Sequence, residues 1–202
     1  MNLNEKILYI IAGANGSGKS TLASVLLQEK NLDFLNADEI AKTISPDAID
    51  RVPITAGKEY FKKLQHFFNE EKSFAVETTL SGKNILKIIS RAKKLNYKIL
   101  LVYSFLDSCT VCINRVKSRV ANGGHNVPEV DIIRRYYKSI VKFHEEYKNR
   151  ADEWTLFFNG LEYCPQIVAY GKKENYDIID IQLYKLFENI YTISKKELKI
   201  ND

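Results

Sequence analysis

The sequence predicts an α/β fold in which helices lie on both faces of a mostly parallel central sheet. Short apolar segments typical of buried strands alternate with segments whose apolar residues recur at helical spacing, and a glycine-rich turn joins the first strand to the first helix. The chain has 202 residues, 45% hydrophobic and 27% charged, which is enough for one domain with a substantial core. We therefore expect a single three-layer domain over residues 1–202.

The first elements alternate strand and helix, as a parallel sheet requires. Predicted strands cover residues 6–12, 33–35, 74–78 and 97–106, and predicted helices cover residues 19–29, 55–71, 84–95 and 108–120. Asn122-Gly123-Gly124 should end the last of these helices, because glycine readily adopts a left-handed cap conformation.

The later elements begin at Pro128, which is well suited to open a helix. This helix is predicted to run to about residue 149 with an inward apolar stripe formed by Val130, Ile133, Tyr137, Ile140 and Val141. A strand at 154–158, a hairpin from 167–170 and 176–179, and an amphipathic C-terminal helix complete the prediction.

The most informative segment is the turn after the first strand, Gly13-Ala14-Asn15-Gly16-Ser17-Gly18-Lys19-Ser20-Thr21. Its glycines let successive backbone N–H groups surround a phosphate, and the following helix directs the positive end of its dipole there. Lys19 would reach the β- and γ-phosphates, and the Ser20 hydroxyl would bind Mg²⁺. A chance glycine-rich turn is disfavoured, because the spacing and both flanks agree. We predict binding of ATP and Mg²⁺.

Asp38 follows the second predicted strand, at the edge of an open α/β sheet where ligands bind. A carboxylate there could accept the proton of a substrate hydroxyl as it attacks the γ-phosphate. It could equally cap the helix that begins near this position. Spacing alone leaves the two interpretations equal.

Glu77 likewise lies at the end of an apolar strand, and Thr78 and Thr79 follow it. An acid at this place could hold the Mg²⁺ shell through water or hydrogen-bond a substrate. The remaining alternative is a capping role for the helix near Gly82. Thr78 and Thr79 are predicted to bind substrate.

Residues 115–150 form a basic segment with nine Lys or Arg and four Asp or Glu. We predict a helical lid here, in which Arg119, Arg134 and Arg135 are brought over the γ-phosphate from either side of the glycine turn. His125 in that turn would contact phosphate or simply stabilise the loop. The lysines and arginine beyond the hinge are expected on a solvated helix face, namely Lys138, Lys142, Lys148 and Arg150.

These motifs together resemble the zeta-toxin family of small-molecule kinases, particularly its short bacterial branch that is often labelled as predicted ABC-type ATPases. The resemblance covers most of the chain and is carried by G-A-N-G-S-G-K-S-T at 13–21, N-A-D-E-I-A at 36–41, E-T-T-L-S-G at 77–82 and R-V-A-N-G-G-H-N-V-P-E-V-D-I-I-R-R-Y at 119–136. It implies a P-loop kinase fold and a toxin–antitoxin association or descent from one.

The resemblance also implies roles for individual residues. Asp38 would be the general base, Glu77 would help to hold the acceptor, and Arg119, Arg134 and Arg135 would belong to the lid. Family toxins phosphorylate UDP-N-acetylglucosamine on a sugar hydroxyl, and relatives phosphorylate other nucleotide-containing molecules. Because the larger toxins differ after the strand acid and lack the Gly-Gly-His turn, the resemblance does not fix the acceptor.

Two other classes of protein share some of these sequence features. An ABC-type ATPase would share the P-loop, and Leu80-Ser81-Gly82 is similar to part of an ABC signature, but Ser108 stands where a catalytic Glu would follow Asp107. A nucleic-acid-binding module could use the basic segment, but Tyr136 and Tyr137 follow the arginines within one helix instead of forming a stacking sheet. A nucleic-acid partner is therefore not expected.

Composition also bears on location. No apolar stretch reaches the roughly 18 residues of a membrane span, and residues 1–6 lack the features of a signal peptide. We expect a cytoplasmic protein without a membrane partner. The three cysteines, Cys109, Cys112 and Cys164, are expected to be reduced and mostly buried.

Overall fold

The computed structural model describes residues 5–45, 53–160, 164–173 and 175–200. These residues form a seven-stranded sheet with the order β2-β3-β1-β4-β5-β6-β7. The strands are β1 (Ile7–Gly13), β2 (Asp33–Leu35), β3 (Phe74–Thr78), β4 (Lys98–Phe105), β5 (Glu153–Phe158), β6 (Gln166–Lys172) and β7 (Asn175–Ile178). Pairing is parallel from β2 to β5 and antiparallel in the two pairs that involve β6. The mostly parallel sheet with a C-terminal hairpin is confirmed.

The helices predicted at 19–29, 55–71, 84–95 and 108–120 are observed within a few residues of those bounds. The helices that the structure describes are α1 (Lys19–Lys30), α2 (Ala37–Ile44), α3 (Pro53–Asn69), α4 (Asn84–Lys94), α5 (Cys109–Ala121), α6 (Glu129–Lys142), α7 (Lys148–Arg150) and α8 (Ile181–Ile200). The helix predicted after Pro128 is interrupted, because a π-helical turn at Phe143–Tyr147 separates α6 from α7. Within the described ranges, no helix has both the length and the apolar character needed to cross a bilayer.

Strand β1 lies in the interior of the sheet between β3 and β4, and all seven of its residues are buried. Leu8, Ile10 and Ala12 belong to the larger core cluster, which also takes residues from α3, α4, α5, α6 and α8. Ile7, Tyr9 and Ile11 belong to a smaller cluster that α1 covers. Because a strand buried on both faces needs apolar residues at every position, the uninterrupted apolar segment before the P-loop follows from this placement.

The inward face of α6 differs from the predicted stripe. Val130 is 71% exposed, whereas Ile132, Tyr136 and Ile140 are buried. The Tyr136 hydroxyl donates to the Leu106 carbonyl at 2.9 Å, which fixes this face against the sheet. The prediction for Val130 is wrong because the buried stripe is rotated around the helix.

Strand register brings the functional segments to one edge of the sheet. Ile11 is paired with Glu77 and Gly13 with Ser104. Leu35 is paired with Val76, so Asn36 follows at the level of Glu77. The carboxyl ends of four parallel strands therefore meet around the P-loop, as expected for an α/β ligand site.

The cysteines agree only partly with expectation. Cys112 is buried and Cys109 is half-buried, whereas Cys164 is exposed and differs from the prediction of a mostly buried set.

Candidate functional site

The P-loop has the geometry that phosphate binding requires. Gly16 and Gly18 have φ of 80° and 86°, which L side chains rarely adopt, and a Cβ at Gly16 would lie 2.5 Å from the Cys112 carbonyl oxygen. Helix α1 begins without a side-chain cap and without an acid in its first turn. Its first N–H groups are therefore open to an anion. The Ser17 Oγ atom is buried and has no partner among the described residues, a condition that a bound anion or water could relieve.

Lys19 and Glu77 face each other inside this site. The Lys19 Nζ atom donates to the Ala14 carbonyl at 2.8 Å and lies 3.8 Å from Glu77 Oε1. Burial lowers the pKa of Lys19, and the carboxylates of Glu77 and Asp38 offset part of this effect. Burial raises the pKa of Glu77, and the Lys19 ammonium and the Ser20 hydroxyl offset part of that. A triphosphate would give the Lys19 ammonium a stronger anionic partner.

The Glu77 carboxylate also contacts Ser20, a candidate metal ligand, and Asn36, which precedes α2. Its Oε2 atom accepts from Ser20 Oγ at 3.1 Å and from Asn36 Nδ2 at 3.2 Å. Glu77 does not cap α4, because the N-cap residue of that helix is Lys83, without a side-chain hydrogen bond. The capping alternative for Glu77 is therefore wrong.

The oxygen donors of Ser20 and Glu77 fit Mg²⁺, which prefers hard oxygen ligands and keeps several waters or phosphate oxygens. The described part of the chain contains no group of three or more His, Cys, Asp or Glu able to hold a metal by themselves. This donor set therefore suits a metal that is bound together with nucleotide phosphates.

Asp38 is not the N-cap residue of α2, which was one of the two roles that the sequence allowed. Asn36 caps α2, since its Oδ1 atom accepts from the backbone N–H of Asp38 at 2.8 Å and of Glu39 at 3.4 Å. The Asp38 carboxylate therefore stands in the first turn of α2, where the helix dipole favours a negative charge. Its side chain faces the cavities described next.

Three cavities meet at Asp38 and Glu77, which line all of them. The phosphate cavity, about 380 Å³, contains P-loop residues 15, 16 and 18–21. The arginine cavity, about 420 Å³, includes Arg134 and Arg135. The aromatic cavity, about 440 Å³, lies among α2, α3 and α4 and includes Tyr60 and Phe61. Asp38 and Glu77 thus stand between a phosphate-binding region and a partly apolar region.

The lid arginines reach the site in different ways. The Nη1 atom of Arg135 donates to Asn15 Oδ1 in the P-loop at 3.1 Å, and its side chain is 29% exposed. Arg134 is 51% exposed and pairs with Asp131 at 2.7 Å. Arg119 lines the phosphate cavity, and its Nη2 atom donates to the His125 carbonyl at 2.8 Å. All three lie at the cavities, and Arg135 is the one bonded to the P-loop.

The remaining predicted substrate residues lie along the same junction. Thr78 lines the aromatic and arginine cavities, and His125 lines the aromatic and phosphate cavities. Thr79 lines the arginine cavity and is hydrogen-bonded to Ser81 at 2.7 Å.

Asn159 and Tyr170 line none of the three cavities. Asn159 is buried beneath the P-loop, where Nδ2 donates to the Ser17 carbonyl at 2.9 Å. Tyr170 is paired with Thr155 near the amino end of β5, away from the carboxyl edge that carries the P-loop.

Several residues of the site were missed at the sequence level. Asn36 joins Glu77 to α2, Arg115 lines the phosphate cavity, and Tyr60 and Phe61 line the aromatic cavity. Arg115 lies within the basic segment, so its charge was a usable signal. Tyr60 and Phe61 carry no motif, and their helical spacing indicated only core packing.

Comparison with known proteins gives one family and several relatives. The family model described as "AAA domain" matches residues 8–135. An uncharacterized protein of Haemophilus influenzae is 33% identical over 134 residues, which are 66% of this chain and 93% of that protein. A shikimate kinase of Staphylococcus haemolyticus is 29% identical over 134 residues, which are 65% of this chain and 74% of the enzyme.

Among solved structures, the PezAT chromosomal toxin–antitoxin system of Streptococcus pneumoniae has a similar chain. The TM-score is 0.64 at 15% identity, over 98% of this chain and 88% of that chain. The resemblance to zeta toxins is therefore confirmed at the level of the fold.

Proposed function

The chain belongs to the AAA domain family, and on that premise we propose that it is an ATP-dependent kinase that transfers the γ-phosphate to a hydroxyl group of a small molecule. One observation carries the proposal: Asp38 and Glu77 line the phosphate, arginine and aromatic cavities alike. A nucleotide bound at the P-loop and an acceptor bound in the aromatic cavity would therefore meet at these two carboxylates. The similarity to a shikimate kinase supports the same class of reaction.

Each residue at this junction has a task in phosphate transfer. Asp38 accepts the proton of the attacking hydroxyl, a role worth about 10²–10⁴-fold in rate. Lys19 and the P-loop N–H groups bind the β- and γ-phosphate oxygens. Arg135, with Arg119 and Arg134, stabilises the charge that develops on the transferred group.

For Mg²⁺ we propose Ser20 as a direct ligand and Glu77 as the acid that holds the metal shell. When bound, Mg²⁺ neutralises charge on the β- and γ-phosphates. The hydrogen bonds of Glu77 to Ser20 and Asn36 support this assignment over direct acceptor binding, because they keep its carboxylate beside the P-loop.

The acceptor we propose is a nucleotide-containing metabolite, such as UDP-N-acetylglucosamine or a related nucleotide sugar. Tyr60 and Phe61 offer aromatic surface to a base, and Arg134 and Arg135 in the adjacent cavity offer charge to a diphosphate.

We also propose that the chain is the toxin of a toxin–antitoxin pair, with an antitoxin protein as partner. The fold shared with a chain of the PezAT toxin–antitoxin system supports this. Co-expression with the protein encoded by the neighbouring reading frame, followed by growth measurement, tests it. Relief of a growth defect is the expected result, and growth that is normal without the neighbour contradicts it.

The kinase proposal is tested by incubating the protein with γ-labelled ATP, Mg²⁺ and a panel of nucleotide sugars, dinucleotides and a cell extract. Mass spectrometry should find an acceptor that has gained one phosphate. Consumption of ATP without any phosphorylated product would instead support an ATPase, the principal alternative.

A further inference from the structure

The carbonyl group of Ser17 is held by two buried side chains from distant parts of the chain. Ser104 Oγ, in β4, donates to it at 2.7 Å, and Asn159 Nδ2, just after β5, donates to it at 2.9 Å. All three residues are buried. The carbonyl is thereby fixed toward the sheet, beneath the P-loop.

This fixed carbonyl determines where the next N–H group points. The peptide between Ser17 and Gly18 is planar and trans, so its N–H is directed opposite to its C=O. With the carbonyl held toward the sheet, the Gly18 N–H is directed away from it, toward the phosphate cavity that Gly18 lines. Rotation of this peptide would break two buried hydrogen bonds at once.

Gly18 is fitted to the same arrangement. Its φ of 86° is accessible to glycine, and a Cβ at this position would overlap the Asn159 side-chain amide. The amide of Asn159 therefore occupies the space that any other residue at position 18 would need. The Asn159 amide can therefore lie under the loop because position 18 carries no side chain.

We propose that Ser104 and Asn159 are positioning residues that orient the Gly18 N–H for a nucleotide phosphate before the nucleotide binds. The proposal rests on the nucleotide-binding part of the proposed function and is independent of phosphate transfer. It assigns the loop's preorganisation to two residues outside the glycine-rich motif. Preorganised donors bind without the cost of ordering them during association.

The test compares nucleotides that differ in their phosphates. In P-loops the backbone N–H groups cradle the α- and β-phosphates, and AMP lacks the β-phosphate that ADP has. Isothermal titration calorimetry of Ser104→Ala should show ADP affinity reduced about fivefold, the effect of one hydrogen bond, with AMP affinity unchanged. Asn159→Asp, which replaces the donor by an acceptor at nearly constant volume, should reduce ADP affinity more than Ser104→Ala does.

Ser194→Ala is the matched control. The Ser194 hydroxyl is buried in α8 and donates to the Ile190 carbonyl at 2.7 Å, so the substitution removes the same kind of bond far from the loop. Its ADP and AMP affinities should equal those of the wild type. If Asn159→Asp does not fold, Ser104→Ala and Ser194→Ala still decide the question.

Equal losses of ADP and AMP affinity in Ser104→Ala would overturn the proposal, and so would unchanged ADP affinity. A wild-type protein that binds no ADP would refute nucleotide binding itself. A wild-type protein that binds ADP but transfers no phosphate would refute the kinase proposal and leave this inference standing.

Discussion

The phosphate cavity and the aromatic cavity share Asp38 and Glu77 but are built differently. Around the P-loop, Ser17, Lys19 and Asn36 are buried, and each contacts a segment distant in the chain through a hydrogen bond or an ion pair. In the aromatic cavity, buried isoleucines of α4 and small residues form one side, whereas Phe61 on the other side is 52% exposed. The first cavity is built from polar groups that hold one another in place, whereas the second has an open side that substitutions can fill.

The largest effect should come from Lys19→Met, because it removes the buried cation of the phosphate cavity and leaves Glu77 without its nearest positive charge. We expect MgATP binding to be lost and kcat/KM to fall by about 10³-fold or more. Titration calorimetry and a steady-state assay measure both. Lys30→Met, an exposed lysine at the other end of α1, should behave as wild type. If Lys19→Met bound MgATP as tightly as the wild type, the phosphate-binding role of this cavity would be contradicted.

Arg135→Ala should follow, with kcat lowered by about 10³-fold and MgATP affinity changed much less, because guanidinium groups act mainly on transition-state charge. Arg134→Ala should have a smaller effect, because Arg134 is the more exposed of the two and Arg135 is the one hydrogen-bonded to the P-loop. Lys138→Ala, on the same helix but lining none of the three cavities, is the control. Equal losses in kcat and in MgATP affinity would mean that Arg135 serves ground-state binding alone.

A substitution at Gly57 would change the aromatic cavity and leave the lining of the other two cavities unchanged. Gly57 lines the aromatic cavity in α3, and a Cβ at this position would meet nothing within 4 Å. Gly57→Leu should fill the space and raise the acceptor KM about tenfold, with the ATP KM unchanged. Gly57→Ala should have a weaker effect on KM and should stabilise the protein by about 0.5–1 kcal/mol, measurable by thermal unfolding. An increase in the ATP KM, or no change in the acceptor KM, would show that the acceptor binds elsewhere.

The smallest predicted effect is a pH dependence of metal binding. Burial raises the pKa of Glu77, so this carboxyl takes up its proton at a higher pH than an exposed glutamate does. Mg²⁺ requires the ionised form, so MgATP affinity should be full above the raised pKa and should fall severalfold as the pH decreases through it. Glu77→Gln should bind more weakly and lose this pH dependence. Measurements of MgATP affinity between about pH 5 and 8 test this prediction. If the affinity of the wild type and of Glu77→Gln changed equally with pH, Glu77 would be excluded from the metal shell.

Much of the fold could be predicted from the sequence because its signals are local. The uninterrupted apolar segment before the P-loop predicted the interior strand β1, and the P-loop predicted the start of α1. Pro128 predicted the start of α6. The rotated face of α6 could not be predicted, because periodicity allowed an inward stripe that includes Val130. The contact between Tyr136 and the Leu106 carbonyl, which fixes the actual face, is long-range.

The site could be predicted only where its residues lie in the P-loop or near the end of a predicted strand. Lys19, Asp38 and Glu77 follow strands or lie in the P-loop, so their positions at the sheet edge could be predicted. The link from Asn36 to Glu77 joins residues 41 positions apart, and the Ser104 and Asn159 contacts with Ser17 span 87 and 142. Such contacts exist only once the strands have paired, so spacing along the chain gives no sign of them.

The most direct test of a kinase reaction at the junction of the cavities is the comparison of Asp38→Asn with the wild type in phosphate transfer and MgATP binding. The substitution keeps the size of the side chain and removes the base. We predict that transfer to the acceptor falls by about 10²–10⁴-fold while MgATP affinity stays within a factor of about two. Undiminished transfer by Asp38→Asn would contradict the account.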